Sequence, residues 1–178
     1  MAIVPDEKDW TWVLSQRCPD CGHAAGEVPP AGVAAEVRAT AARWQPLLAH
    51  PAVAVRPDPD TWSALEYACH VRDVFRLGDY RVGLMLREDE PTFPNWDQDA
   101  SAIDDRYDEQ DPAVVGPELI ATAEVFARLL EGVADAEWDR AGTRSDGTRF
   151  TAGTFAQYVL HDPIHHEWDV AEGYRALG

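Results

Sequence analysis

Basic side chains are scarce in this sequence. Its 178 residues hold 15 Lys and Arg against 32 Asp and Glu, a formal net charge of −17 at neutral pH. A field of that sign repels phosphate backbones and anionic lipid surfaces, so neither nucleic acid nor membrane is an expected partner. Long apolar runs are missing as well. None approaches the ~20 residues needed to span a bilayer. The N-terminal stretch MAIVPDEKDWTW has no basic region leading into an apolar one, as a secretory signal would. A cytoplasmic location is expected. The three cysteines are an odd number, which does not suggest a secreted disulfide framework. There is no Gly-rich phosphate loop, no GxSxG elbow and no Cys-His-Asn arrangement, which removes nucleotide-driven and serine-hydrolase chemistry from consideration.

What is there fits one globular domain over residues 1–178. Hydrophobic residues make up 46%, and the length suffices for a sizeable core. Residues 1–29 read as an irregular segment, and residues 30–176 as helical. From about Gly32, Val33, Val37, Trp44 and Leu48 recur at helical spacing, with Pro46 expected to kink or end that helix. Asp60 or Thr61 is the expected cap of a second helix running to about Arg87, with an inward stripe of Tyr67, His70, Val74, Leu77 and Arg81. Residues 88–111 are acidic, carry two prolines and read as a long connection. Asp111-Pro112 opens a third helix with stripe Leu119, Ala123, Phe126, Leu130 and Val133. Asp146-Gly147 is a hairpin-turn signal. A fourth helix is expected from about Thr151 to Tyr174, with Thr154, Tyr158, His161, His165 and Trp168 along one face. The pattern is an all-α four-helix bundle, with connections after helices one and two long enough for a crossover.

The histidines carry the chemistry. His161-Asp162-Pro163-Ile164-His165 is an HxxxH spacing, and residues four apart share a helix face. Two imidazoles so placed can reach one metal ion. His70, among apolar neighbours on another helix, is the natural third ligand. Three protein ligands with an open fourth position form a catalytic rather than a structural metal site. His166 lies about 100° around the helix from His165 and should miss that ion. It is assigned to the surroundings. Pro163 falls between the two ligands, and a helix-interior proline costs about 3 kcal/mol. The bland account of these residues is buried, hydrogen-bonded histidines with no metal.

Two segments carry a family resemblance. Trp62-Ser63-Ala64-Leu65-Glu66-Tyr67-Ala68-Cys69-His70 and His161-Asp162-Pro163-Ile164-His165-His166 resemble the W-S-x-x-E-x-x-x-H and H-x-x-x-H motifs of the DinB/YfiT-like superfamily of metal-binding four-helix bundles. The resemblance covers roughly residues 30–175 and implies a metal triad at His70, His161 and His165. His166, Glu167 and Trp168 stand where many members have Arg and Gln. Some members transfer small thiols of the bacillithiol, mycothiol or glutathione type. The resemblance therefore implies a metal-dependent enzyme that passes such a thiol to an electrophilic small molecule. A metal-dependent hydrolase on the same site, or a metal-binding helical protein without turnover, are the alternatives. Zinc or nickel is the expected ion, since imidazole sites accept several metals.

Other residues are candidates for the pocket. Glu66 and Asp162, with Asp73 the weakest of three, could accept a hydrogen bond from a metal-bound imidazole. His166, Tyr158, Trp168 and Trp96 are further pocket candidates, and the acidic connection could bring Trp96, Phe93 and Tyr107 over the site. Cys18-Pro19-Asp20-Cys21 is a CxxC, with His23 two residues on. The bland reading is an ordered turn with reduced thiols. A second metal site or a reactive thiol pair are the sharper ones, although no second CxxC closes a four-ligand set. Apolar helix faces commonly associate about a two-fold axis, so a homodimer is a compatible assembly.

Overall fold

Side-chain caps mark where three of the four long helices begin. The computed structural model describes residues 9–178; residues 1–8, part of the segment expected to be irregular, lie outside the described residues. Helix α1 (Val33–Leu48) buries Val33, Val37, Trp44 and Leu48, the expected stripe, and ends two residues after Pro46. Helix α2 (Ala64–Arg87) is capped by Ser63, not by Asp60 or Thr61. The Asp58 carboxylate takes the Asp60 amide and the Thr61 hydroxyl into a turn of its own. The Ser63 hydroxyl then accepts from the Glu66 amide, while the Glu66 carboxylate accepts from the Ser63 amide, a reciprocal capping box.

The acidic connection is ordered. It forms strand β1 (Thr92–Phe93), the short helix α3 (Gln98–Asp104) and a 3-10 turn at Tyr107–Glu109. Tyr107 is fully buried, and its hydroxyl donates to Asp73 at 2.6 Å. Helix α4 (Pro112–Glu131) starts as expected, with the Asp111 carboxylate on the Ala113 amide and Pro112 in the first turn. Strands β2 (Ala141–Arg144) and β3 (Arg149–Thr151) form a hairpin across Asp146-Gly147, where Gly147 has φ +92°. Strand β1 adds to β2 in parallel, pairing Thr92 with Thr143. The Asp146-Gly147 signal marks the hairpin turn, but strands of two to four residues are too short to show an alternating pattern, so the sheet itself and β1 within it go unsignalled. Helix α5 (Ala152–Leu177), capped by Thr151, runs three residues past the expected end.

Helices α1, α2, α4 and α5 make a four-helix bundle around one core. Helices α1 and α2 each pack mainly against α4 and α5 and touch each other far less. The chain thus crosses a bundle diagonal between α1 and α2, and again between α4 and α5. The long 88–111 segment joins neighbours. Ahead of the bundle, 3-10 turns at Trp10–Leu14, Ala25–Glu27 and Pro30–Gly32 lie along α5. Gln157 of α5 donates to the Val28 carbonyl at 2.7 Å. A Cβ at Gly26 would sit 2.0 Å from the Leu14 carbonyl oxygen, so glycine is needed for this segment to fold back on itself.

At Gly78, α2 packs tightly against both α4 and α5. A Cβ there would stand 2.9 Å from Phe126 of α4 and 3.1 Å from Val159 of α5. Overpacking of this kind costs about 1–3 kcal/mol. Gly78→Val should lower the melting temperature by roughly 3–10 °C in a chain of this size, measured by circular dichroism.

Candidate metal centres

Two clusters of metal-type donors meet on α5, one residue apart in register. The first joins His70, Asp162 and His166. His70 Nε2 lies 3.1 and 3.4 Å from the Asp162 carboxylate oxygens, and His166 Nε2 lies 3.6 Å from one of them. His70 is fully buried, with its ring stacked on Trp96 at 5.2 Å and 8° and against Trp62 at 5.4 Å. Its Nδ1 has no hydrogen-bond partner, so packing rather than a second hydrogen bond orients the ring. His166 Nδ1 is 2.7 Å from the Asp169 carboxylate, and Tyr67 covers its ring at 4.7 Å. Burial works against the charged form of Asp162. The His70 and His166 imidazoles outweigh it and hold the carboxyl well below its ordinary range.

The second cluster joins Cys18, Cys21, His161 and His165, whose ligand atoms all lie within 4.8 Å of one another. Cys18 Sγ is 3.6 Å from His165 Nδ1, and Cys21 Sγ is 3.7 Å from His161 Nε2. Trp10 packs over both imidazoles, at 5.6 and 5.0 Å, and Trp168 lies 5.7 Å from His165. Burial pushes the Cys21 thiol up to about 11. A thiol so placed is a poor nucleophile near neutral pH, which weakens the reactive-pair reading.

The triad expected from the sequence is therefore divided. His161 and His165 do share a point, but with the cysteine pair. His70 shares one with Asp162 and His166. The reason is helical phase: each residue turns the helix by about 100°, and the 162/166 stripe, not the 161/165 stripe, faces α2. His23 does not close the cysteine site; its Nε2 is buried without a partner, and its ring lies 6.4 Å from His161. Glu66 is likewise not beside His70. Its carboxylate is taken by Ser63 and by the guanidinium of Arg56, which overcome burial and keep it below its ordinary pKa. Asp73 binds Tyr107, Arg72 and Arg76 instead. Tyr158 packs on Phe150 and Phe155; burial raises its phenol pKa, and the Asp162 carboxylate of the first cluster, one turn further along α5, adds to the rise. Trp96 does cover His70, whereas Phe93 and Tyr107 are spent in the core. Asp169 escaped the sequence reading, although its place three residues after His166 was the available signal.

The sequence model of the DinB superfamily matches residues 35–169, most of the chain. This chain belongs to the DinB superfamily. Among solved structures it resembles YfiT from Bacillus subtilis, described as a probable metal-dependent hydrolase with an unusual four-helix bundle topology. The TM-score is 0.68 at 18% identity, over 99% of this chain and 94% of that one. At that identity the likeness speaks for the fold, and the diagonal crossovers fit a topology that is out of the ordinary. A search of curated proteins finds no match.

The DinB motifs now have physical roles. Trp62 supports the His70 ring, Ser63 and Glu66 cap α2, and His70 sits two turns further on. The donor set of the first cluster fits a divalent ion: two imidazoles and a carboxylate, with separations near the ~3–3.4 Å expected of ligands ~2.0–2.1 Å from a shared centre.

His161 gives a pH prediction for the metal-free chain. Burial, then the neighbouring His165, lowers its pKa from 6.5 to about 4. Below pH 6.5 the unfolded chain takes up a proton that the folded chain refuses until about pH 4. Stability should therefore be full above pH 6.5 and fall as the pH drops through that window, by up to about 3 kcal/mol. Urea titrations between pH 4 and 7.5, with His161→Phe as the flatter control, measure it.

Proposed function

We propose that this chain is a metal-dependent hydrolase acting at His70, Asp162 and His166. The observation that carries the reading is the meeting of a buried α2 imidazole with a carboxylate and an imidazole four residues apart on α5. Two histidines and a carboxylate are the donor set of one class of catalytic zinc site, and three protein donors leave a position for water or substrate. The description of YfiT as a probable metal-dependent hydrolase supports the same reaction class. A divalent ion bound there supplies Lewis acidity and a source of hydroxide near neutral pH.

The side chains around it do the remaining work. Asp162 stays ionised and offers negative charge to a cation. With an ion bound, Asp169 would accept the Nδ1 proton of His166 and leave its Nε2 free as a ligand beside Asp162. Trp62, Trp96 and Tyr67 wall the imidazoles and limit water around them. Zinc is the proposed ion, and a small molecule the proposed substrate.

Zinc-loaded protein assayed on a panel of activated esters, amides and phosphoesters should turn over without added thiol. His70→Ala should lose at least 100-fold, and Asp169→Asn should lose 10- to 100-fold in metal affinity. Turnover only with a low-molecular-weight thiol would replace hydrolysis by thiol transfer. No turnover in either condition, with metal bound, would leave a binding protein.

A further inference from the structure

We infer that Cys18, Cys21, His161 and His165 form a second, structural zinc site that fastens the N-terminal segment to α5. It stands on its own donors and does not depend on the hydrolase reading. Zn–S of about 2.3 Å and Zn–N of about 2.0–2.1 Å at a tetrahedral angle place sulfur and nitrogen about 3.6 Å apart. The two sulfur–nitrogen separations are 3.6 and 3.7 Å, with all four donors mutually within 4.8 Å. Two thiolates and two imidazoles complete a tetrahedron, leaving no protein-free position. That is the closed set of structural zinc, and it differs in kind from the His-Asp-His cluster beside it.

The backbone is built to hold the sulfurs. The Cys18 amide donates to the His23 carbonyl at 2.8 Å, and the Gly22 amide to the Cys18 carbonyl at 3.0 Å. Gly22 takes φ +73°, a left-handed turn that a side chain would strain. The CxxC is thereby folded into a knuckle with both sulfurs facing α5. Cys18 is fully buried. On the helix side, His165 turns its other nitrogen toward Asp169, 3.8 Å away. The ligands are 140 and 147 positions apart along the chain, so the ion would close a loop spanning almost the whole fold.

Cobalt(II) is the probe, added to the reduced full-length protein. Wild type should show the intense near-ultraviolet thiolate-to-cobalt band, saturating within two equivalents, one for each centre, and displaced by zinc. His70→Ala should keep that band undiminished, since its donor lies in the other cluster. Cys18→Ser and Cys21→Ser should each weaken it to half or less. Because those variants could misfold, wild type is also digested with trypsin with and without a chelator. Removal of the ion should speed cleavage at exposed Arg17 at least tenfold. Absence of the thiolate band in folded wild type overturns the site. So do a Cys18–Cys21 disulfide persisting under reductant, or an unchanged cleavage rate on chelation. Loss of hydrolase activity with the band intact would instead count only against the first centre.

Discussion

The molecule turns on the pitch of α5. Two i,i+4 pairs are wound on that helix one residue out of step, His161 with His165 and Asp162 with His166. A rotation of about 100° separates them, so they face different neighbours. One meets the N-terminal knuckle and the other meets α2. Asp169 sits at the seam, 2.7 Å from His166 Nδ1 and 3.8 Å from His165 Nε2. The carboxylate is hydrogen-bonded to His166 and stands near His165 without bonding to it.

That pitch is useful only if α2 presents His70 at the right height. The capping box fixes where α2 starts, and Arg56 locks Glu66 from the preceding turn. His70 then follows two turns later on the inward face, between Trp62 and Trp96. From the other side, the Trp44 indole of α1 donates to the Pro163 carbonyl at 3.2 Å. It holds α5 at the proline between the two stripes. The bundle is a frame in which caps and one buried indole set the phase of two helices.

Much of this frame was legible. Apolar periodicity placed the four long helices, and Asp111-Pro112 and Thr151 marked two of their starts within a residue. The Asp146-Gly147 turn was equally plain. The site was less so, because two overlapping patterns compete in HDPIHH. HxxxH is the more conspicuous, yet DxxxH is the one that faces His70. Only the rotation of α5 against α2 decides between them, and that is a tertiary quantity set by packing at residues such as Gly78, Phe126 and Val159. The partner of the CxxC was hidden for a related reason. Its histidines lie some 140 residues away, and nothing local to Cys18 or Cys21 points to them. The expectation that His23 would take part followed proximity in sequence, which a left-handed turn at Gly22 redirects.

The charge imbalance bears on the chemistry as well as on the expected partners. Arginine is largely committed to ion pairs: Arg38 bridges α1 to Glu124 and Glu131 of α4, and Arg72 spans Asp73 and Glu118. The uncompensated acid leaves a negative field that concentrates divalent cations and repels anions. A cation in the His70 cluster meets one carboxylate there and another at Asp169, so its charge is partly neutralised before any substrate arrives. An anionic substrate would have to enter against the field of the whole chain. A neutral or cationic one would not, and the aromatic walls of Trp62, Trp96 and Tyr67 suit such a molecule. In the proposed hydrolase, the same acidity that disfavours a nucleic-acid partner would narrow the substrate class from the outside, while the donor set would narrow the reaction from within.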